Sequence, residues 1–348
     1  MKTATLAFDN LPETIEDVDA LEDLLSTPTA ALVDDLARLD GDIMFLGVAG
    51  KIGLTISRMA KRAAPGKRII GVARFSEAGV KEKLESWGIE TIGCDLLDPE
   101  ALAALPKVAN LVYMAGKKFG TEEDPSFAWA MNTFVPAMVA REFRESRIVA
   151  FSTLCVYPFG SVLTNGWDES VEPQPLGDYA NSCVGRERAF QYGSRRYGTE
   201  GRLIRLNYAI DMRYGVLLDI ARWVNQEQPI PIATGHASVI WQGDSNAQIL
   251  RSLLHCQSPT APLNIGGPQQ ASVRAIAEEF GKAFGKRPRY EGVEQEYAWV
   301  NSTFAAQRLF GNPVVPLATM IDWVAGWVKR DMPIHHKPTG YEVRNGQF

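Results

Sequence analysis

The sequence predicts an α/β protein, a doubly wound parallel sheet of Rossmann type joined to a smaller C-terminal α/β lobe and preceded by a short helical N-terminal extension. Three observations predict it. An apolar run at 42–46 breaks into three spaced glycines, Gly47, Gly50 and Gly53, and continues as a helical pattern to 64. A second apolar run follows at 68–73, where the next strand of a βαβ unit belongs. Strand-like and helix-like stretches then keep alternating, a pattern that calls for parallel strands with helices on both faces.

Taken in order, residues 1–40 hold ten Asp or Glu against only Lys2 and Arg38. Apolar residues recur at helical spacing over 30–39, with Ser26, Thr27 and Pro28 as the capping signal ahead of them. This extension is expected to pack on the first lobe or on a sister subunit. Further strands are expected at 90–94, 110–114, 147–152 and 202–206, and helices at 77–87, 98–105, 124–144 and 178–197. The first domain is expected over 41–207, with 238–266 returning to it. The second lobe then takes 208–237 and 267–330, leaving 331–348 as a C-terminal arm. His335 and His336 in that arm are read as packing residues, not as metal ligands.

Composition narrows the function classes. With 348 residues, 46% hydrophobic and 22% charged, the chain can bury a large core. Its net charge of −5 and lack of a basic stripe disfavour nucleic acid as a partner. No run is long and apolar enough to span a membrane, and the first residues lack the pattern of a secretion signal, so a cytoplasmic protein without membrane partners is expected. Cys94, Cys155, Cys183 and Cys256 are scattered with no C-x-x-C pair. Reduced thiols, and no metal site, are expected.

The glycine run carries the chemistry. A strand, a tight turn and a helix N-terminus leave unpaired N–H groups for phosphates, and glycine lets the backbone approach a pyrophosphate with no side chain between. In Gly47, Gly50, Lys51, Ile52 and Gly53 the spacing is G-x-x-G-x-x-G, a weak signal alone that gains weight from the strand at 68–73. That strand ends in Ala73 and Arg74. An acid there would hold a ribose 2′-hydroxyl, whereas an arginine fork suits a 2′-phosphate. NADP is therefore expected, with NAD as the second choice, and 41–207 becomes a dinucleotide-binding domain.

Further landmarks follow in order: Asp95 and Leu96 after the third strand, Ala115 and Gly116 after the fourth, Asn132 in a helix, Thr153 and Cys155 after the fifth strand, and Tyr179 heading a helix. With these the chain resembles the extended short-chain dehydrogenase/reductases, the NAD(P)-dependent epimerase/dehydratase family, over about residues 42–330. The resemblance implies that Gly47, Gly50, Lys51, Ile52, Gly53, Arg74, Asp95, Leu96, Ala115, Gly116, Lys118, Tyr179 and Cys183 surround the cofactor. It implies that Thr153 hydrogen-bonds the reacting oxygen while Tyr179 exchanges its proton, and that Asn132 orders the local backbone or a relay water. A homodimer through helices near 124–144 and 178–197 is implied as well.

The family's lysine four residues after the tyrosine is Cys183 here. A free phenol titrates near ~10, and without a nearby cation it is a poor base. Three readings follow: Lys117 or Lys118 supplies the charge, Tyr179 acts as a neutral donor, or catalysis is lost and cofactor binding kept. Cys155 matches a position where relatives use a thiol as acid and base beside a ketone. Asp178, Asp211, Arg213 and His236 are further candidates that the sequence does not rank, and Trp241, Tyr297 and Trp299 are candidates for a sugar pocket.

Seven residues before Asp244, where nucleotide-sugar relatives carry an arginine for the diphosphate, stands Ala237. Without that fork a diphosphate loses a bidentate contact, unless Arg213 supplies one. The expected function is an NAD(P)-dependent epimerase/dehydratase-like oxidoreductase acting on a hydroxyl or ketone of a sugar, sugar acid or polyol and not on a nucleotide-diphosphate sugar. The alternatives are a cofactor-binding sensor with weakened catalysis and a simple NADPH-dependent carbonyl reductase.

Overall fold

The continuous apolar runs become strands buried on both faces. The computed structural model describes residues 4–121, 123–337 and 339–347. Two helices, α1 (Val18–Leu25) and α2 (Ala30–Arg38), precede the first strand, β1 (Ile43–Leu46). There follow α3 (Gly53–Ala63), β2 (Ile69–Ala73), α4 (Val80–Ser86), β3 (Glu90–Gly93), α5 (Pro99–Ala103) and β4 (Asn110–Tyr113). Helix α6 (Pro125–Trp129) runs through a π turn (Ala130–Phe134) into α7 (Val135–Glu142), then β5 (Arg147–Thr153), β6 (Gly160–Ser161), α8 (Gly177–Tyr197) and β7 (Gly201–Leu206). The second lobe adds β8 (Tyr208–Ile210), α9 (Val216–Asn225), β9 (Pro229–Pro231), β10 (His236–Ala237) and β11 (Val239–Trp241). The chain then returns with α10 (Gln242–Arg251) and β12 (Ala261–Ile265) and closes with β13 (Ala271–Ser272), α11 (Val273–Phe284), β14 (Arg289–Glu291), β15 (Tyr297–Ala298), α12 (Phe304–Phe310) and α13 (Leu317–Lys329).

Seven strands form one sheet in the order β12-β7-β5-β4-β1-β2-β3, every pair parallel. This is the doubly wound order, with its switch point between β1 and β4. Every residue of β1, β2 and β4 is buried because helices cover both faces, which is why these strands read as unbroken apolar runs. On one face Leu32, Leu36, Ile56, Met59 and Leu250 pack against the sheet; on the other, Leu102, Val135, Val139 and Phe190 do so. A separate core holds the second lobe together around Trp241, Trp323 and Trp327.

The N-terminal extension is shared between these cores. Leu21 and Leu25 of α1 enter the second-lobe core, while Leu32, Leu36 and Leu39 belong to the sheet core. The start of α2 differs from expectation. Its cap is Thr29, whose hydroxyl accepts from the Leu32 N–H at 3.2 Å, and Ser26 instead turns back to donate to Glu22 O at 2.7 Å. Helix 124–144 also differs, being interrupted by the π turn at Ala130–Phe134. Such a turn inserts one residue into the ladder and re-aims a side chain, here Asn132. Among the described residues no helix is long and apolar enough to cross a membrane, and no three His, Cys, Asp or Glu gather as a metal site.

Candidate active site

The glycines at the switch point serve three different needs. Gly47 has φ +94°, and a Cβ on it would stand 2.7 Å from the Ala115 nitrogen, so the loops after β1 and β4 touch there. On Gly53 a Cβ would lie 2.0 Å from Val48 O, so α3 can start only on a glycine. Gly50 is different: its Cβ would meet only Gly47 O, at 3.6 Å. The chain's own packing does not exclude a side chain there. What Gly50 leaves open is a cavity of about 210 Å³ lined by Gly47, Gly50, Ala73, Arg74, Asp95, Leu96, Ala115 and Gly116. Met114 and Gly116 also line a second cavity of about 270 Å³, reached past Lys51 and Ile52. The two cavities share Met114 and Gly116 in their lining, and an open glycine with the N-terminus of α3 beside it could receive the phosphates of a dinucleotide. Arg74 stands exposed on the rim of the first cavity.

Tyr179, Thr153, Cys155 and Lys118 all line the second cavity. Strand β5 ends at Thr153, whose hydroxyl accepts the Cys155 N–H at 3.2 Å and hydrogen-bonds the Tyr179 phenol. Desolvation, with Cys183 and Cys155 close by, pushes that phenol well above its ordinary range, while Arg186 and Thr153 pull it back. The Tyr179 phenol is therefore protonated at neutral pH. Burial likewise raises the Cys155 thiol, opposed first by the field of Lys118. Lys118 Nζ donates to Thr339 O at 3.0 Å, and burial lowers its pKa. Lys117 is placed differently, its Nζ 5.2 Å from the centre of the Phe127 ring.

Asn132 clamps the loop that carries these lysines. Its Oδ1 accepts the Lys117 N–H at 2.9 Å and its Nδ2 donates to Lys117 O at 2.8 Å and to Ser182 Oγ at 3.0 Å. Backbone ordering is therefore its visible role. Cys183 does not take the place expected for it. It is fully buried beside Val156 and Tyr157 and does not line the cavity itself, its short side chain reaching only as far as a hydrogen bond with the Tyr179 phenol. Burial pushes the thiol up to about 11, so it is neutral.

Several candidates for the substrate side belong elsewhere. Asp178 accepts from Trp129 Nε1 at 2.8 Å, and Trp241 and Ala237 are buried in the second-lobe core. His236 lies 3.9 Å from Glu294, and Tyr297 is half exposed. Arg213 cannot replace the missing arginine: its guanidinium is held by Asp211 at 2.8 Å and by Glu22 of the N-terminal extension at 3.0 Å. Asp244 is structural, accepting the N–H groups of Val314 and Val315 at 3.0 and 2.9 Å. Trp299 does border the site, packing in one cluster with Leu154, Cys155, Ala180 and Tyr179.

Residues the sequence reading missed complete the second cavity: Arg186, Asn207, Tyr208, Tyr214, Gln242 and Thr339. Thr339 comes from the C-terminal arm. The arm is pinned by Thr339 N–H and Oγ1 donating to Asp219 at 2.9 and 2.6 Å, and by Arg344 donating to Tyr297 O at 2.7 Å. Gly346 of the arm lies against Gly177, two residues before Tyr179. Residues 338 and 348 of the arm expected over 331–348 lie outside the described residues. Lys51 also does more than follow a glycine: its Nζ stands 3.1 Å from the centre of the Tyr214 ring, and desolvation together with Lys118 and Lys337 brings its pKa down to about 7.

Among solved structures, the chain is similar to Thermus thermophilus UDP-glucose 4-epimerase in complex with NAD, at 16% identity and a TM-score of 0.67, covering 83% of this chain and 99% of that one. It is similar to the dTDP-glucose 4,6-dehydratase of Streptomyces venezuelae with NAD bound, at 19% identity and a TM-score of 0.69, covering 83% and 97%. An epimerase from Methanothermobacter thermautotrophicus aligns at 17% identity and a TM-score of 0.68, over 87% and 96%. No family model and no curated protein matches the sequence. At these identities the likeness shows the fold, a Rossmann-type α/β architecture with a seven-stranded parallel sheet like that of these epimerases and dehydratases.

Proposed function

We propose that the protein is an NADP(H)- or NAD(H)-dependent oxidoreductase of the epimerase/dehydratase kind, acting on a hydroxyl or ketone of a small carbohydrate. The observation that carries this reading is the cavity beside the glycine loop in which Tyr179, Thr153, Cys155 and Lys118 converge. The nicotinamide ring, when bound, supplies hydride acceptance and return. Gly47, Gly50, Ile52 and Gly53 would hold the pyrophosphate, Asp95 and Leu96 the adenosine, Ala115, Gly116 and Lys118 the nicotinamide side, and Arg74 a 2′-phosphate, which favours NADP. Thr153 hydrogen-bonds the reacting oxygen and Tyr179 exchanges its proton. The Cys155 thiol, under the field of Lys118, adds or removes a proton at the carbon next to the ketone.

A sugar, sugar acid or polyol is favoured over a nucleotide-diphosphate sugar. Ala237 offers no cation, Arg213 is already paired twice, and Thr339 of the C-terminal arm forms part of the cavity wall. A homodimer is proposed through α6, the π turn that follows it, α7 and α8, which expose Trp129, Phe134 and Tyr192. The experiment is incubation of the pure protein with NADP or NAD, a panel of free sugars and sugar acids, and deuterated water. Hydride transfer or deuterium uptake that Tyr179→Phe abolishes supports the reading. Full activity of Cys155→Ser would leave an ordinary reductase, and dinucleotide binding without exchange or hydride transfer would leave a sensor.

A further inference from the structure

Helix α8 presents Tyr179, Cys183 and Arg186 along one face, since positions three and four apart are neighbours. Arg186 is only 5% exposed, yet its guanidinium lines the second cavity. Nη1 donates to Phe151 O at 3.0 Å and Nη2 to Asn132 Oδ1 at 2.6 Å, while Nε is buried with no partner among the described residues. A Cβ on Gly116 would fall 2.4 Å from Nη2, so the guanidinium fills the room a side chain at 116 would need. Both hydrogen-bond acceptors are neutral. The adjacent Glu187 is engaged elsewhere, by Arg205 at 2.8 Å and Ser152 at 2.6 Å. A buried guanidinium with neutral partners and an unfilled donor is costly, and the protein retains it at the floor of the cavity.

We propose that Arg186 takes over the work of the lysine absent at position 183: its charge stabilises negative charge on Tyr179, and its unfilled Nε–H serves a hydroxyl of the nicotinamide ribose. The inference rests on the oxidoreductase reading above. Charged and titratable groups face the phenol from two elements, Cys183 and Arg186 on α8 and Cys155 after β5; Lys118, on the loop after β4, acts on both thiols. Among these groups Arg186 favours the ionised phenol, against the two thiols. Its hydrogen bond to Asn132 ties the same charge to the loop at Lys117, so one residue couples the phenol to the cofactor-facing backbone.

The test compares wild type, Arg186→Gln, Arg186→Lys and the double variant Cys183→Lys/Arg186→Gln. Circular dichroism first confirms that each folds. Dinucleotide affinity is measured by fluorescence titration, and the alkaline limb of the kcat/KM pH profile is recorded on the substrate found active. Arg186→Gln is expected to weaken dinucleotide binding at least tenfold and to move the limb upward by a pH unit or more. Arg186→Lys, or the lysine restored at 183, is expected to recover most of both. Unchanged affinity in Arg186→Gln overturns the proposal. So does a loss that neither lysine variant repairs, because that pattern marks a scaffold role. If Arg186→Gln does not fold, Arg186→Lys decides alone, wild-type affinity supporting the proposal and a tenfold loss overturning it. Failure of wild type to bind any dinucleotide is a separate result, visible before a variant is made, and sinks the oxidoreductase reading itself.

Discussion

Gly50→Ala separates a glycine kept for a ligand from glycines kept for the fold. The new methyl would stand 3.6 Å from Gly47 O, an ordinary contact, and Gly50 does not have a positive φ. Stability should therefore stay within about 0.5 kcal/mol of wild type or rise slightly, since alanine restricts the unfolded chain. The methyl enters the first cavity, where the pyrophosphate is proposed to approach the backbone. Losing one hydrogen bond to a charged phosphate costs roughly 1.5–3 kcal/mol, so dinucleotide affinity should fall by about one to two orders of magnitude. Gly53→Ala is the contrast. Its methyl would stand 2.0 Å from Val48 O and cannot be accommodated without moving backbone, so overpacking should cost about 1–3 kcal/mol or more. Thermal unfolding and fluorescence titration with NADPH and NADH report the two effects separately. If Gly50→Ala binds dinucleotide as wild type does, or unfolds as readily as Gly53→Ala, the cradle assignment is refuted.

Dinucleotide affinity should decrease as pH rises through about 7, where Lys51 loses its proton. The fall should be about one order of magnitude, the loss of roughly 1.5 kcal/mol from one charge-assisted contact, and Lys51→Met should flatten the profile measured by calorimetry. Asp244→Ala should lower the unfolding free energy by roughly 2–4 kcal/mol in denaturant titrations, because a buried and a half-buried N–H group lose their acceptor. Burial raises the Asp244 carboxyl from 3.8 to about 6 against those two N–H groups, so the folded state keeps a proton that the unfolded state releases. Its contribution to stability is therefore full below about 4 and declines as pH rises to about 6, a slope that Asp244→Asn should remove.

The sheet was legible because its strands are buried on both faces and because Gly47 and Gly53 sit where backbone meets backbone. The chemistry was legible in part. Thr153, Cys155, Lys118 and Tyr179, singled out by the family resemblance, lie around one cavity. Arg186 was not, since it stands in a run with Gly185, Glu187 and Arg188 that reads as a solvated helix face. What buries it is Asn132 and Gly116, distant in sequence and brought there by the sheet. Arg213 was misjudged for the same reason: its partner Glu22 lies in a segment whose docking no local periodicity reveals. Cys183 announced a missing lysine, but only packing shows its thiol buried behind the cavity wall, against Val156, Tyr157 and the Tyr179 phenol.

The central claim is that a dinucleotide crosses the switch point with its redox ring against Tyr179. A crystal structure of the protein grown with NADPH tests it most directly. The account predicts pyrophosphate over Gly50 and nicotinamide beside Tyr179 and Thr153, with Arg186 Nε facing the ribose. Density for the cofactor elsewhere, or a nicotinamide turned away from the phenol, would contradict it.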